Sequence, residues 1–264
     1  IEPGLTDLQA AERALYQLPG VKAVYRDYAH APALYTSTAL INAPILWNNT
    51  GIGGQANAGA GVKLASMDGG IHKDAPMFSG AGYSYPPNFP PGGLGLTANN
   101  NGKIIVSRAY FRPWDPPSAG DENPWPGTQG TSHGVHTSGI AGGDIVNATY
   151  RGLSLGQISG VAPKAWLMSY RVFYNSVTNN GSFYNAEGIA ALEDIVRDGA
   201  QALNNSWGGG PSSVGGQYDA LDQALINAAN AGVFIAMSNG NSGPEKATGD
   251  HPSSNYINVA ASTT

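Results

Sequence analysis

The run Gly61-Val62-Lys63-Leu64-Ala65-Ser66-Met67-Asp68-Gly69-Gly70 decides how this chain is read. Residues 61–67 form a short, mostly apolar stretch of strand length. An acid closes the stretch and two glycines turn the chain away. If that strand is parallel to its neighbours, Asp68 stands at its carboxyl end, where open α/β sheets gather their ligands. An acid there either orients a histidine and stabilises its cationic form or caps the following turn. The residue alone leaves both readings open.

The same grammar extends outward. Residues 103–110, 165–173, 201–204, 232–237 and 256–260 read as further strands, and 133–141, 186–198 and 218–231 as helices between them. Within the second helix, Ile189, Leu192, Ile195 and Val196 fall at the i, i+3, i+4 spacing of a stripe that faces a core. Tight turns at Asp198-Gly199 and Ala231-Gly232 close the helices. Strand alternating with helix predicts an α/β chain with a largely parallel sheet covered on both faces.

Two regions depart from this rhythm. In the first thirty residues, Thr6-Asp7-Leu8-Gln9 has the form of a capping box, with Leu8, Ala11, Leu15 and Leu18 at helical spacing. Pro19-Gly20 ends that run, and residues 21–25 read as a strand. This piece is too short for a core of its own. Residues 80–130 carry Pro86-Pro87, Pro90-Pro91, Pro113, Pro116-Pro117, Pro124 and Pro126 with Trp114 and Trp125, and are expected to form a surface insertion wrapped by its own aromatics.

Composition removes several classes of function. The 264 residues suit one large domain, or one with a small appendage. A net charge of -5 without a basic run argues against nucleic acid as the partner. No stretch reaches the ~18 consecutive apolar residues of a membrane span. The absence of cysteine excludes a disulfide framework and a thiolate metal site. Charged residues at only 12% with 37 glycines describe a weakly charged, turn-rich globular protein. Ile at position 1 points to a chain processed or cut from a longer one.

Two more segments concentrate chemistry. Ser132-His133-Gly134-Val135-His136-Thr137-Ser138-Gly139 opens a helix of small residues. His133 there can act as a general base. Two histidines three apart could instead bind a metal or simply pack, and no HExxH or cysteine set supplies the missing ligands. Ser238-Asn239-Gly240-Asn241-Ser242-Gly243-Pro244 follows the strand at 232–237, and Asn241 is either a turn residue or a donor aimed at an oxyanion.

As a set, the three segments resemble the subtilisin-like serine peptidases. Residues 62–71 resemble that family's aspartate block, His133-Gly134-Val135-His136-Thr137-Ser138-Gly139 its histidine block, and Gly240-Asn241-Ser242-Gly243-Pro244 its oxyanion block. Gly160-Val161-Ala162-Pro163 and Asn204-Asn205-Ser206-Trp207-Gly208-Gly209 resemble further segments of the family. The resemblance implies a three-layer subtilisin-like fold with a mainly parallel sheet between helices. It implies that Asp68 orients His133, that His133 is the general base, and that Asn241 donates to the oxyanion. Ser206, Trp207 and Gly208 would form one wall of the substrate pocket, and Ser238, Asn239 and Gly240 the other. Gly181 and Ser182 would belong to an edge strand that pairs with extended substrate backbone. His136 would pack beneath the histidine helix.

The resemblance further implies that residues 1–33 are the tail of an α+β inhibitory propeptide and 34–264 the first two-thirds of a catalytic domain, incomplete at its C-terminal end. The family's nucleophile block, G-T-S-M-A-x-P, is not found, so the serine is expected on a C-terminal part of the same protein outside this chain. Gly69 and Val135 depart from the family pattern, and Met77 stands where many members carry a calcium-binding acid. No cofactor is expected for catalysis; structural calcium is left open at other sites, and its usual site is not supported. The larger members it resembles are extracellular and carry an inserted protease-associated domain, so secretion and protein or peptide substrates are expected. A catalytically inactive peptide-binding relative and a metal-dependent hydrolase using His133 and His136 are the alternatives.

Overall fold

A computed structural model describes residues 13–22, 33–128, 130–209, 219–243, 249 and 251–261. The chain divides into two compact units, residues 1–33 and 34–264. Of the first, residues 13–16 form a helical turn, and Gly20 turns the chain at φ 85°. The capping box at Thr6 and most of the strand expected at 21–25 lie outside the described residues. Helix α1 (Ala33–Leu40) starts at the division and is followed by the short α2 (Ala43–Trp47).

The second unit is built on a seven-stranded sheet. Its strands are β1 (Lys63–Asp68), β2 (Leu94–Gly95), β3 (Ile104–Ala109), β6 (Trp166–Arg171), β7 (Ala202–Asn205), β8 (Phe234–Ser238) and β9 (Ile257–Val259), in the order β2-β3-β6-β1-β7-β8-β9. Every pairing is parallel. Helix α3 (His133–Gly142) packs on β1 and β6, α4 (Asn185–Arg197) on β1, β6 and α5, and α5 (Ala220–Asn230) on β8. The six strands and three helices read from the sequence are present, with ends shifted by one or two residues.

Strand β1 is central, and its period of two sorts its side chains between layers. Ala65 and Met67 join a core with Met168, Tyr170, Leu203, Ile235 and the α4 residues Ala191, Leu192 and Ile195. Leu64 faces the other way, into a cluster with Leu167, Ile104, Phe78 and Val135 of α3. Ser66 and Asp68 share the parity of Leu64, so the strand aims Asp68 at the α3 layer. From β1 the chain builds outward to β2 and β3 and returns through β6. It then crosses to β7 on the opposite side, which makes the carboxyl end of β1 the switch point of the sheet.

Residues 80–130 are not simply a surface insertion. They contain β2 and β3, and β3 lies inside the sheet with Ile104, Ile105 and Val106 fully buried. Three adjacent apolar residues can be buried together only where both faces of a strand are covered. The aromatics of this segment are divided, with Trp114 exposed and Tyr85, Phe89 and Tyr110 packed against the sheet core. Two buried arginines also hold it. Arg171 Nη1 donates to the carbonyls of Asp121, Asn123 and Trp125, and its Nη2 pairs with the Asp121 carboxylate at 2.6 Å. Arg112 fastens residues 112–115 to residues 180–182. A separate antiparallel hairpin, β4 (Val146–Tyr150) with β5 (Leu153–Ile158), turns at Arg151-Gly152, both at positive φ.

Candidate active site

Asp68 ends β1 at 1% exposure, and its carboxylate is met from three directions. The Gly69 N–H donates to Oδ1 at 2.6 Å, His133 Nδ1 lies 2.9 Å from each oxygen, and the Thr137 hydroxyl donates to Oδ2 at 3.1 Å. His133 and Thr137 stand four residues apart on α3 and so reach the same target. At the start of the helix the Thr131 hydroxyl accepts the otherwise unpartnered His133 N–H at 3.1 Å.

Close approach of α3 to the turn after β1 depends on glycine. A Cβ on Gly134 would lie 2.7 Å from the Gly70 carbonyl oxygen and 3.0 Å from the Gly69 nitrogen. Gly69 in turn leaves room for Thr131, whose Cγ2 would be 2.8 Å from a Cβ there. The side chain missing at Gly69 is thus matched by Thr131. At the far end of α3, Gly143 faces Met77 Cε, and the Met77 carbonyl accepts the Asp144 N–H at 2.8 Å. Met77 packs against the helix as an apolar residue.

The His133 side chain is half exposed although its partner is buried. A carboxylate only accepts, so Nδ1 carries the hydrogen and Nε2 keeps its lone pair. Nε2 has no hydrogen-bond partner among the described residues. This is the tautomer and exposure that a general base needs. His136 is exposed and does not pack beneath the helix. The buried residues of α3 are Gly134, Ser138, Gly139 and Gly142, and His136 falls on the opposite side. Among the described residues no three or more His, Cys, Asp or Glu side chains are grouped to hold a metal.

The expected pocket walls come together at the same edge of the sheet. Parallel pairing sets Asn205 beside Met237, so residues 206–208 and 238–240 leave the sheet side by side. The Ser238 hydroxyl donates to the Trp207 carbonyl at 2.9 Å and ties them. Ser206 accepts from Asn204 Nδ2 at 3.0 Å, and Gly208 is exposed. The Trp207 indole is buried in the core, edge-on to Phe183 at 4.9 Å and to His251 at 5.0 Å. Asn239 donates its N–H to Val259 O, Gly240 turns at φ 73°, and Asn241 is exposed just beyond β8.

Gly181 and Ser182 are exposed and lie outside the described strands. Thr137 and Arg112 were missed from the sequence. The i+4 spacing from His133 was the available signal for Thr137, and nothing local marked Arg112.

The comparisons with known proteins meet this geometry. The subtilase family model matches residues 59–264, which include Asp68, His133 and Asn241. The chain belongs to the subtilase family. Its mainly parallel sheet and flanking helices are the subtilisin-like fold. Similar proteins include two subtilisin-like proteases of Arabidopsis thaliana. SBT2.1 is 31% identical over 212 residues, covering 73% of this chain and 24% of the relative. SBT1.4 is 28% identical over 278 residues, covering 98% and 34%. Among solved structures, fervidolysin from Fervidobacterium pennivorans, described as a keratinolytic enzyme related to subtilisin, aligns at a TM-score of 0.48 and 20% identity. That alignment covers 83% of this subtilase chain and 27% of fervidolysin. The chain spans a quarter to a third of the length of these curated relatives. No described helix is long and apolar enough to cross a membrane.

Proposed function

We propose that this subtilase chain supplies the acid–base half of a serine endopeptidase site, with the nucleophilic serine on a further part of the same protein. The observation that carries the reading is the buried Asp68 carboxylate bound to Nδ1 of a half-exposed His133 whose Nε2 is unpaired among the described residues. In this reading the serine hydroxyl gives its proton to His133 Nε2 as its oxygen attacks the peptide carbonyl. Asp68 stabilises the imidazolium and holds the ring's orientation. The proton then passes from Nε2 to the leaving amine, and water repeats the sequence to release the acyl group. Asn241 donates to the oxyanion formed in each half. Ser206, Gly208, Ser238, Asn239, Gly240 and the Trp207 main chain bind the residue before the scissile bond. No metal takes part in these steps.

An apolar face supports a further segment packing here. Phe234, Ile257 and Val259 are 57%, 51% and 55% exposed on β8 and β9. Through the register Leu64–Ala202–Phe234 and Ala236–Ile257, they share the sheet face that α3 covers over β1. Contiguous exposed apolar surface of this kind marks a contact surface, and a serine-bearing segment seated there would lie beside α3. Residues 1–33 are read as the tail of an inhibitory propeptide, and the protein as secreted.

A fluorophosphonate probe, which bonds covalently to an activated serine, tests the reading. The longer protein should be labelled and the isolated chain of 27.2 kDa should not. Labelling of the isolated chain, or none of the longer protein, would overturn it.

A further inference from the structure

The expected substrate edge at Gly181 and Ser182 has no partner strand among the described residues, yet it is held by one buried side chain. Arg112 is 1% exposed, and its guanidinium lies over the rings of Tyr174 at 4.7 Å and Tyr184 at 5.1 Å. Its Nη1 donates to the Ser182 carbonyl at 2.5 Å and its Nη2 to the Asn180 carbonyl at 3.3 Å. Asp115 at 3.2 Å and Glu187 at 3.6 Å balance its charge. The Ser182 N–H is taken by Asn180 Oδ1 at 3.0 Å, so both main-chain groups of Ser182 are engaged within the chain.

Gly181 is left in the opposite condition. Its N–H and C=O have no partner among the described residues, and a Cβ there would meet nothing within 4 Å. Alternate residues of an extended segment send their main-chain groups to opposite sides. Fastening Asn180 and Ser182 from behind therefore turns Gly181 outward, presenting one donor and one acceptor to open space. This is the requirement for adding a strand to an exposed edge. Arginine bonds the two carbonyls from two separate nitrogens held in one planar fork, a geometry that the single nitrogen of lysine does not reproduce.

We propose that Arg112 is a positioning residue that presents the Gly181 main chain to an extended peptide substrate. The inference rests on the peptidase reading for the nature of the substrate, but its mechanics belong to this chain alone. Exchange is slow where an amide is bonded and fast where it is free. On binding, the peptide bonds to the Gly181 N–H and C=O, while Arg112 keeps the carbonyls on either side from swinging into the cleft.

Residue-resolved hydrogen exchange on the chain, with and without a saturating unstructured hexapeptide, tests this. In the native chain the Gly181 amide should exchange fast and slow by at least about tenfold on adding the peptide. Arg112→Lys keeps the charge that faces Asp115 and Glu187, so the fold is retained. In that variant Ser182 exchange should rise about tenfold and the peptide should no longer slow Gly181, with the β1 and β6 amides unchanged. Native-like exchange at Ser182 and Gly181 in the variant would overturn the proposal. So would a general rise through β1 and β6, or a native chain in which the peptide leaves Gly181 unprotected. Slowing of Gly181 without any hydrolysis by the longer protein would instead remove the peptidase reading and leave this one standing.

Discussion

At the scale of single residues, the account depends on which donors surround one carboxylate. Asp68 accepts from Gly69, His133 and Thr137, so Asp68→Asn would put an amide where only acceptors fit and favour the wrong imidazole tautomer. The expected loss in kcat for the longer protein is about 10⁴-fold with KM little changed, read by steady-state kinetics on a peptide. Thr137→Val removes one hydroxyl donor from a buried carboxylate. It should destabilise the chain by about 1–2 kcal/mol in a urea titration. Gly134→Ala must push α3 away from the Gly70 carbonyl, at a cost of about 1–3 kcal/mol in the same titration. Asp68 and His133 were legible in the sequence because the strand end and the helix start each have a local signature. Their contact was not legible, because it spans 65 residues and exists only through the register of the sheet. His136 was misread for a similar reason. Its spacing from His133 says nothing of which side of α3 faces the sheet.

At the scale of elements, two buried cations hold strands and loops in place. Arg171 ends β6 beside Asp68 in register, and it gathers the carbonyls of residues 121–125 over Gly70. Asp121→Ala would leave that guanidinium buried without its carboxylate and should cost about 3–5 kcal/mol, measured by denaturant unfolding. Lys103, just before β3, donates to the carbonyls of Pro163 and Ala165 and the Tyr83 hydroxyl and faces Asp144 at 3.2 Å. Burial lowers its pKa from 10.5 to about 8, against the pull of Asp144. Because the folded value lies below the unfolded one, the unfolded chain holds the extra proton between those values. Stability therefore rises with pH across that window, and the gain is lost as pH falls through about 8. Native stability relative to Lys103→Met should thus increase between pH 7 and 10. A difference independent of pH would contradict the assignment. The strands and helices around these cations were legible from periodicity, but the arginine hubs were not. The β4–β5 hairpin carries only a faint signal in the sequence, a glycine turn between half-exposed strands.

At the scale of the whole molecule, the unusual feature is an apolar sheet face that α3 leaves uncovered over β8 and β9. If a serine-bearing segment seats there, Ile257→Lys with Val259→Lys should leave the isolated chain folded and more soluble. In the longer protein the same changes should abolish fluorophosphonate labelling. The most direct test of the central claim, that His133 is the general base set by Asp68, is His133→Ala in the longer protein, with kcat measured on a peptide substrate. The account predicts a fall of roughly 10⁶-fold with the fold intact. A loss of less than about tenfold would contradict it, because general-base catalysis by one residue contributes far more than that.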